Sequence, residues 1–270
     1  MPHRSGSLAR LAGTLAVTAA GAVALGGWGG GASRPGGLAT RGGGLASLPA
    51  GRVLTLSAEA LARQPSLAFA GSISETGERI VFRLRSTDRG RKVAGQLIVH
   101  TGDRAVGPVS FVALPGVLYL EAAAPYWRAT LSKTPGAPSG SVATSVVARL
   151  AGRWIEITGK SASEFTSGFA GLTEAGKFAQ SMLHGGGTLA KGPEHIVRDR
   201  RVLPITSSKG ATVFVALSGE PLPVEFVGTR SLGSRAVHVT VAVAYPRNLV
   251  IAAPKGALTL AQIVLSLAGA

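Results

Sequence analysis

Few residues in this 270-residue chain have the types and spacing that catalysis requires. Gly171-Leu172-Thr173-Glu174-Ala175-Gly176-Lys177 has the spacing of a phosphate-binding loop, but Phe178 replaces the hydroxyl that would ligate magnesium. That run also falls within a helical pattern, not after a strand. Gly159-Lys160-Ser161 has Trp154 where the first glycine of such a loop belongs. The Gly-x-Ser-x-Gly elbow of serine hydrolases is absent. His3, His100, His184, His195 and His238 are scattered, with no i, i+4 pair to hold a metal. Glu194 beside His195 reads as a surface pairing, not as an acid/base couple. The 13 acidic residues include no carboxylate pair set off by a motif. With no cysteine, thiolate nucleophiles, disulfides and sulfur-ligated metals are excluded. The residues point to no enzyme, no cofactor and no metal site.

Apolar side chains are plentiful, and their periodicity describes what must position them. Ser57 stands where a helix N-cap would, followed by Ala58, Leu61 and Ala62 before Pro65. From Ser66 the period becomes two. Ile80, Phe82 and Leu84 share one strand face, while Arg83 and Arg85 share the other. Thr87 to Arg91 is a turn, and Val93, Leu97 and Val99 return antiparallel. Val109 to Leu114, Pro115-Gly116 and Val117 to Glu121 form a further hairpin. After the loop 135–140, Val142, Val146, Val147 and Leu150 have helical spacing, and Trp154, Ile155 and Ile157 a strand's.

Phe169, Leu172, Phe178 or Ala179, and Met182 mark another helix, stopped by Gly185-Gly186-Gly187. Strands resume at 194–198, 202–206, 211–217, 223–228 and 237–244, and a helix-like tail covers 258–267. In the last strand Val237, Val239, Val241 and Val243 alternate with His238, Thr240, Ala242 and Ala244. Consecutive hairpins imply one antiparallel sheet, and helices inserted midway must cover one of its faces.

The N-terminus sets the compartment. Arg4 and Arg10 precede the uncharged run Leu11 to Leu25, the layout of a secretory signal over 1–25, with Ala22-Val23-Ala24 as a cleavage site. The run is shorter than the ~20 residues that span a bilayer. Residues 26–50, dense in glycine, read as a linker, and 51–270 as a single domain. The domain is therefore expected outside the cytoplasm, either secreted or held at the envelope by an uncleaved signal. Beyond residue 50 there remain 24 basic against 13 acidic side chains. An anionic membrane surface is the expected electrostatic partner, and export excludes nucleic acid.

Four phrases in this order resemble the actinobacterial LppX/LprG-type lipoprotein family of the LolA-like superfamily. They are SLAFAGSIS at 66–74, GVLYLEAAAPYW at 116–127 with GRWIEI at 152–157, KGPEHIVRDRRVLPIT at 191–206 leading into ATVFVALSGEPLPVEF at 211–226, and IAAPKGA at 251–257. The resemblance implies an α+β fold: a strongly curved antiparallel β half-barrel whose concave face is covered by helices. It also implies an apolar cavity for acyl chains, and members bind or carry lipids and lipoglycans between membrane layers. Family signals end in a lipobox cysteine. Here Trp28 follows Leu25-Gly26-Gly27, so there is no thiol to acylate.

On this reading the lipid cavity is lined by Phe69, Phe82, Leu84, Tyr119, Val146, Leu150, Phe169, Leu172, Met182, Phe214, Val239 and Val241. Tyr119, Tyr126 and Trp127 are placed to border its mouth, where an amphipathic ring suits the change from apolar to wet. Burial of acyl chain returns ~0.8 kcal/mol per CH₂, so apolar walls matter more than polar contacts. Only 14 aromatic side chains are available to fill the space. The expectation is a secreted, monomeric, non-catalytic lipid carrier. The alternative is an envelope interaction module with a filled core, binding a protein or cell-wall polymer; an envelope hydrolase with an unrecognised site is a third reading.

Overall fold

A computed structural model describes residues 44–75, 77–102, 104–134, 136–160, 162–163, 165, 187–232, 235–259, 261–263 and 265. After a 3-10 turn at Leu45–Ser47, helix α1 spans Ala50–Ala62. Strands β1 (Leu67–Glu75), β2 (Glu78–Thr87), β3 (Lys92–Thr101), β4 (Arg104–Leu114) and β5 (Val117–Ala122) follow as an antiparallel meander. Helices α2 (Ala124–Lys133) and α3 (Gly140–Leu150) come next, then β6 (Ile155–Thr158). The second meander comprises β7 (Leu189–Lys191), β8 (His195–Val197), β9 (Arg200–Ser207), β10 (Ala211–Ala216), β11 (Pro223–Leu232) and β12 (Arg235–Ala244). The short β13 (Leu258–Thr259) pairs parallel to β6.

All strands join one sheet in the order β13-β6-β5-β4-β3-β2-β1-β12-β11-β10-β9-β7, with β8 also on β9. The two meanders meet where β1 pairs antiparallel with β12, from Ala68 opposite Ala244 to Ser74 opposite His238. Strands lie ~4.8 Å apart, so this path laid flat would be roughly 50 Å wide. Yet one continuous cluster of buried side chains runs from Ile155 and Ile157 of β6 to Ile205 of β9, joining α1, α2 and α3 on the way. The described helices, all short, serve both ends because the sheet is strongly curved. The architecture is an α+β half-barrel, open at β13/β6 and β7, with helices over its concave face.

Alternation along the strands selects that face. Phe82 and Leu84 are buried while Arg83 and Arg85 stand exposed. Val241 and Val243 are buried, and the exposed His238 shares a hydrogen bond with Thr229 at 3.0 Å. At the seam a Cβ on Gly71 would lie 2.1 Å from the Thr240 carbonyl oxygen, so the backbones approach closely only because glycine is there.

Several local expectations are corrected. Ser57 does not cap a helix; α1 begins two turns earlier, after Pro49, and Ser57 is buried within it. The apolar face begins at Val53 and Leu54, and burying them against the sheet extends the helix upstream. Thr55 accommodates this by donating its hydroxyl to the Gly51 carbonyl at 3.0 Å. The tail from Leu258 opens with the two residues of β13 before turning helical at 261–263. Val142 leaves the α3 stripe: it is 56% exposed, whereas Val146, Val147 and Leu150 are buried.

Candidate functional site

The concave wall is built from alternate residues of the strands. Phe69, Phe82, Leu84 and Val241 lie in the main core, as do Val146 and Leu150 of α3, and Val239 sits half-buried at its margin. Two predicted wall residues face elsewhere. Tyr119 alternates with buried Leu118 and Leu120, so its ring lies on the convex face beside Glu156. Desolvation, with a smaller contribution from Glu156, raises the Tyr119 pKa. Phe214 alternates with Val213 and Val215 of the core. It packs on the outer surface with Val197 against Val202, Ala216 and Val224, and meets His195 edge to face at 5.3 Å. The apolar character of both rings hid their side of the sheet, because a strand's period fixes alternation but not which phase is inward. Phe169, Leu172 and Met182 lie outside the described residues.

Helix α2 occupies a stretch with no helical periodicity in the sequence, between the strand at 117–121 and the loop at 135–140. Its signal was Pro125, which occupies the first turn of a helix at no cost in hydrogen bonds. Trp127, Thr130 and Leu131 are buried along one face of α2. The indole N–H of Trp127 donates to the Ala122 carbonyl at 3.0 Å, and its ring meets Tyr126 edge to face at 5.3 Å. Burial pushes the Tyr126 phenol up to about 12, opposed by its hydrogen bond with Thr130.

Between α2 and α3 lies a cleft of about 580 Å³. Leu131 and Val147, both members of the main core, form its floor. Ala124, Ala137, Ala143 and Ala148 supply small apolar walls, and Arg128, Ser132 and Thr144 the polar rim. Its size falls within the ~300–1,000 Å³ of small-molecule sites, and an apolar floor with few polar groups matches their usual lining. The short side chains leave the space over Leu131 and Val147 unfilled, and those two side chains belong to the main core. Among the described residues, none of the predicted wall residues lines this cleft, whose lining comes from α2, α3 and the loop between them. Among the described residues no cluster of His, Asp and Glu is arranged to hold a metal.

No protein-family model and no curated protein sequence matches the chain. Among solved structures it is similar to LprF from Mycobacterium bovis, at 10% identity over 77% of this chain and 97% of that one, with a TM-score of 0.47. It is also similar to the lipoprotein LppX of Mycobacterium tuberculosis, at 13% identity over 74% and 97% with a TM-score of 0.40. A third neighbour is the MucA/MucB complex of Pseudomonas aeruginosa, at 15% identity over 73% and 58% with a TM-score of 0.31. The half-barrel assignment itself rests on the strand order and the continuous core, which wraps from β6 to β9 beneath α1, α2 and α3.

Proposed function

We propose that this protein is a non-catalytic, extracytoplasmic lipid-binding protein that shelters acyl chains in the cleft between two of the helices covering its curved sheet. The observation that carries the reading is the α2–α3 cleft of about 580 Å³, whose floor of Leu131 and Val147 is continuous with the core. Acyl chains would lie along this floor, gaining ~0.8 kcal/mol per buried CH₂. Arg128 at the rim suits an anionic head group. The excess of 28 basic over 13 acidic residues would hold the carrier near anionic membrane.

The test is native mass spectrometry of protein gently purified from its own envelope. A phospholipid or glycolipid adduct is expected on the parent chain. Ala143→Trp places an indole in the cleft and should abolish the adduct, whereas Val142→Trp, one residue away and 56% exposed, should retain it. An adduct-free parent protein would overturn the reading.

The competing interaction module is favoured by one observation. Phe69, Phe82 and Leu84 are each at most 3% exposed within a continuous cluster of side chains, as expected of a filled interior. Under that reading, cross-linking in the envelope would capture a protein or polymer while the purified chain carried no lipid.

A further inference from the structure

A second and larger cleft, of about 1160 Å³, opens at the C-terminal end of α1. Its walls are the C-terminal end of α1 (Ala62 to Pro65), the β2–β3 turn (Thr87, Asp88, Arg89, Lys92) and the segment Leu249 to Ile251. Three cations line it: Arg63, Arg89 and Lys92. The single acid in the lining, Asp88, is neutralised by Arg91 at 2.7 Å. Glu220 stands nearby and accepts a hydrogen bond from Gln64 at 3.0 Å. Arg63, Arg89 and Lys92 make no ion pair among the described residues, so the cleft retains a net positive charge.

The segment beside these cations carries the most exposed large apolar side chain among the described residues. Ile251 is 7% exposed and anchors the chain inward, whereas Val250 is 85% exposed. The Ser66 hydroxyl donates to the Pro246 carbonyl, which fastens the start of this segment to the α1–β1 junction. The result is a held apolar tip amid basic side chains, with Arg247 three residues before it. In water the exposed valine gains nothing from the neighbouring arginines. At a bilayer interface the two are complementary, because the cations meet anionic head groups while the apolar tip enters the acyl boundary.

We propose that this corner docks the protein onto an anionic lipid bilayer, with Val250 inserted and Arg63, Arg89 and Lys92 on the head groups. The proposal deepens the lipid-carrier reading by giving the molecule an oriented membrane contact, but its chemistry is independent of cargo. It commits to a membrane surface, not a soluble anion, because a free phosphate would leave Val250 in water.

The experiment uses the absence of cysteine from the whole chain. Val250→Cys and Ile196→Cys each create a unique thiol, at positions 85% and 70% exposed. Each is labelled with an environment-sensitive fluorophore and mixed with phosphatidylcholine vesicles, with or without phosphatidylglycerol. A blue shift is expected at position 250 only, and only with phosphatidylglycerol. Removing Arg63, Arg89 and Lys92 together (each to Ala) should weaken vesicle binding about a hundred-fold, from roughly five-fold per charge. Arg83→Ala with Arg85→Ala, on the outer face of β2, should change it less than two-fold per charge. A label at 250 that stays in water while vesicles bind, or equal losses from both sets, would overturn the proposal. Native mass spectrometry separates the two ideas: vesicle docking without a lipid adduct sinks the carrier reading alone, and an adduct without docking sinks this one alone.

Discussion

The carbonyl oxygen of Ala122 accepts the indole N–H of Trp127 and the backbone N–H of Gly152, both at 3.0 Å. One atom at the end of β5 thus pins the first turns of α2 and the exit from α3, the two walls of the smaller cleft. Trp127→Phe removes one of the two donors and keeps most of the buried ring. It is expected to lower stability by about 1 kcal/mol in denaturant unfolding, because Gly152 still satisfies the carbonyl. A loss above about 3 kcal/mol would mean the indole contributes mainly through packing.

Gly71→Ala tests the seam between the meanders. The new methyl would meet the Thr240 carbonyl oxygen at 2.1 Å, a backbone atom that cannot rotate away. Pairing of β1 with β12 must open, at a cost of about 3 kcal/mol or more. Thermal unfolding measures it, and a neutral outcome would contradict the close approach of the two strands.

Ser57 offers the opposite sign. Its hydroxyl is buried in the middle of α1 with no hydrogen-bond partner among the described residues. Ser57→Ala removes an unsatisfied polar group and improves helix propensity, so stability should rise by about 1 kcal/mol. A fall in the denaturation midpoint would show that the hydroxyl has a partner.

Alkaline stability should be governed by two tyrosines. Burial raises Tyr126 to about 12, and burial also raises Tyr245, opposed by the nearby Arg200. The Tyr245 hydroxyl donates to the Pro223 carbonyl at 2.7 Å. The folded chain holds these protons above the unfolded pKa of ~10, so unfolding releases them. Their contribution is intact below pH ~10 and declines as pH rises through the folded values, by up to about 1.4 kcal/mol per pH unit per group. Urea midpoints measured at pH 9 and pH 11 should fall accordingly, and less steeply in Tyr126→Phe.

Much of this fold was legible in the residues because strand alternation is a local property. Ile80, Phe82 and Leu84 against Arg83 and Arg85 announce a half-buried strand, and the Pro115-Gly116 turn announces its hairpin. Tyr119 and Phe214 mark the boundary of that reasoning. An aromatic ring on a strand suits either face, and only the neighbouring strands decide which side is covered. The start of α1 was likewise decided by what Val53 and Leu54 pack against, a distance in space with no counterpart in local propensity.

The amino-acid order determined the strands and their alternation, the absence of thiol chemistry and the basic surplus. Tertiary structure decided how β1 and β12 join two meanders into one curved sheet, and where gaps open between the covering elements. The larger cleft draws its walls from segments far apart in the chain, Ala62 with Ile251, and the smaller from two successive helices that meet along Leu131 and Val147. A void is set by the distance between packed elements, and side-chain order constrains that distance only after the chain has folded.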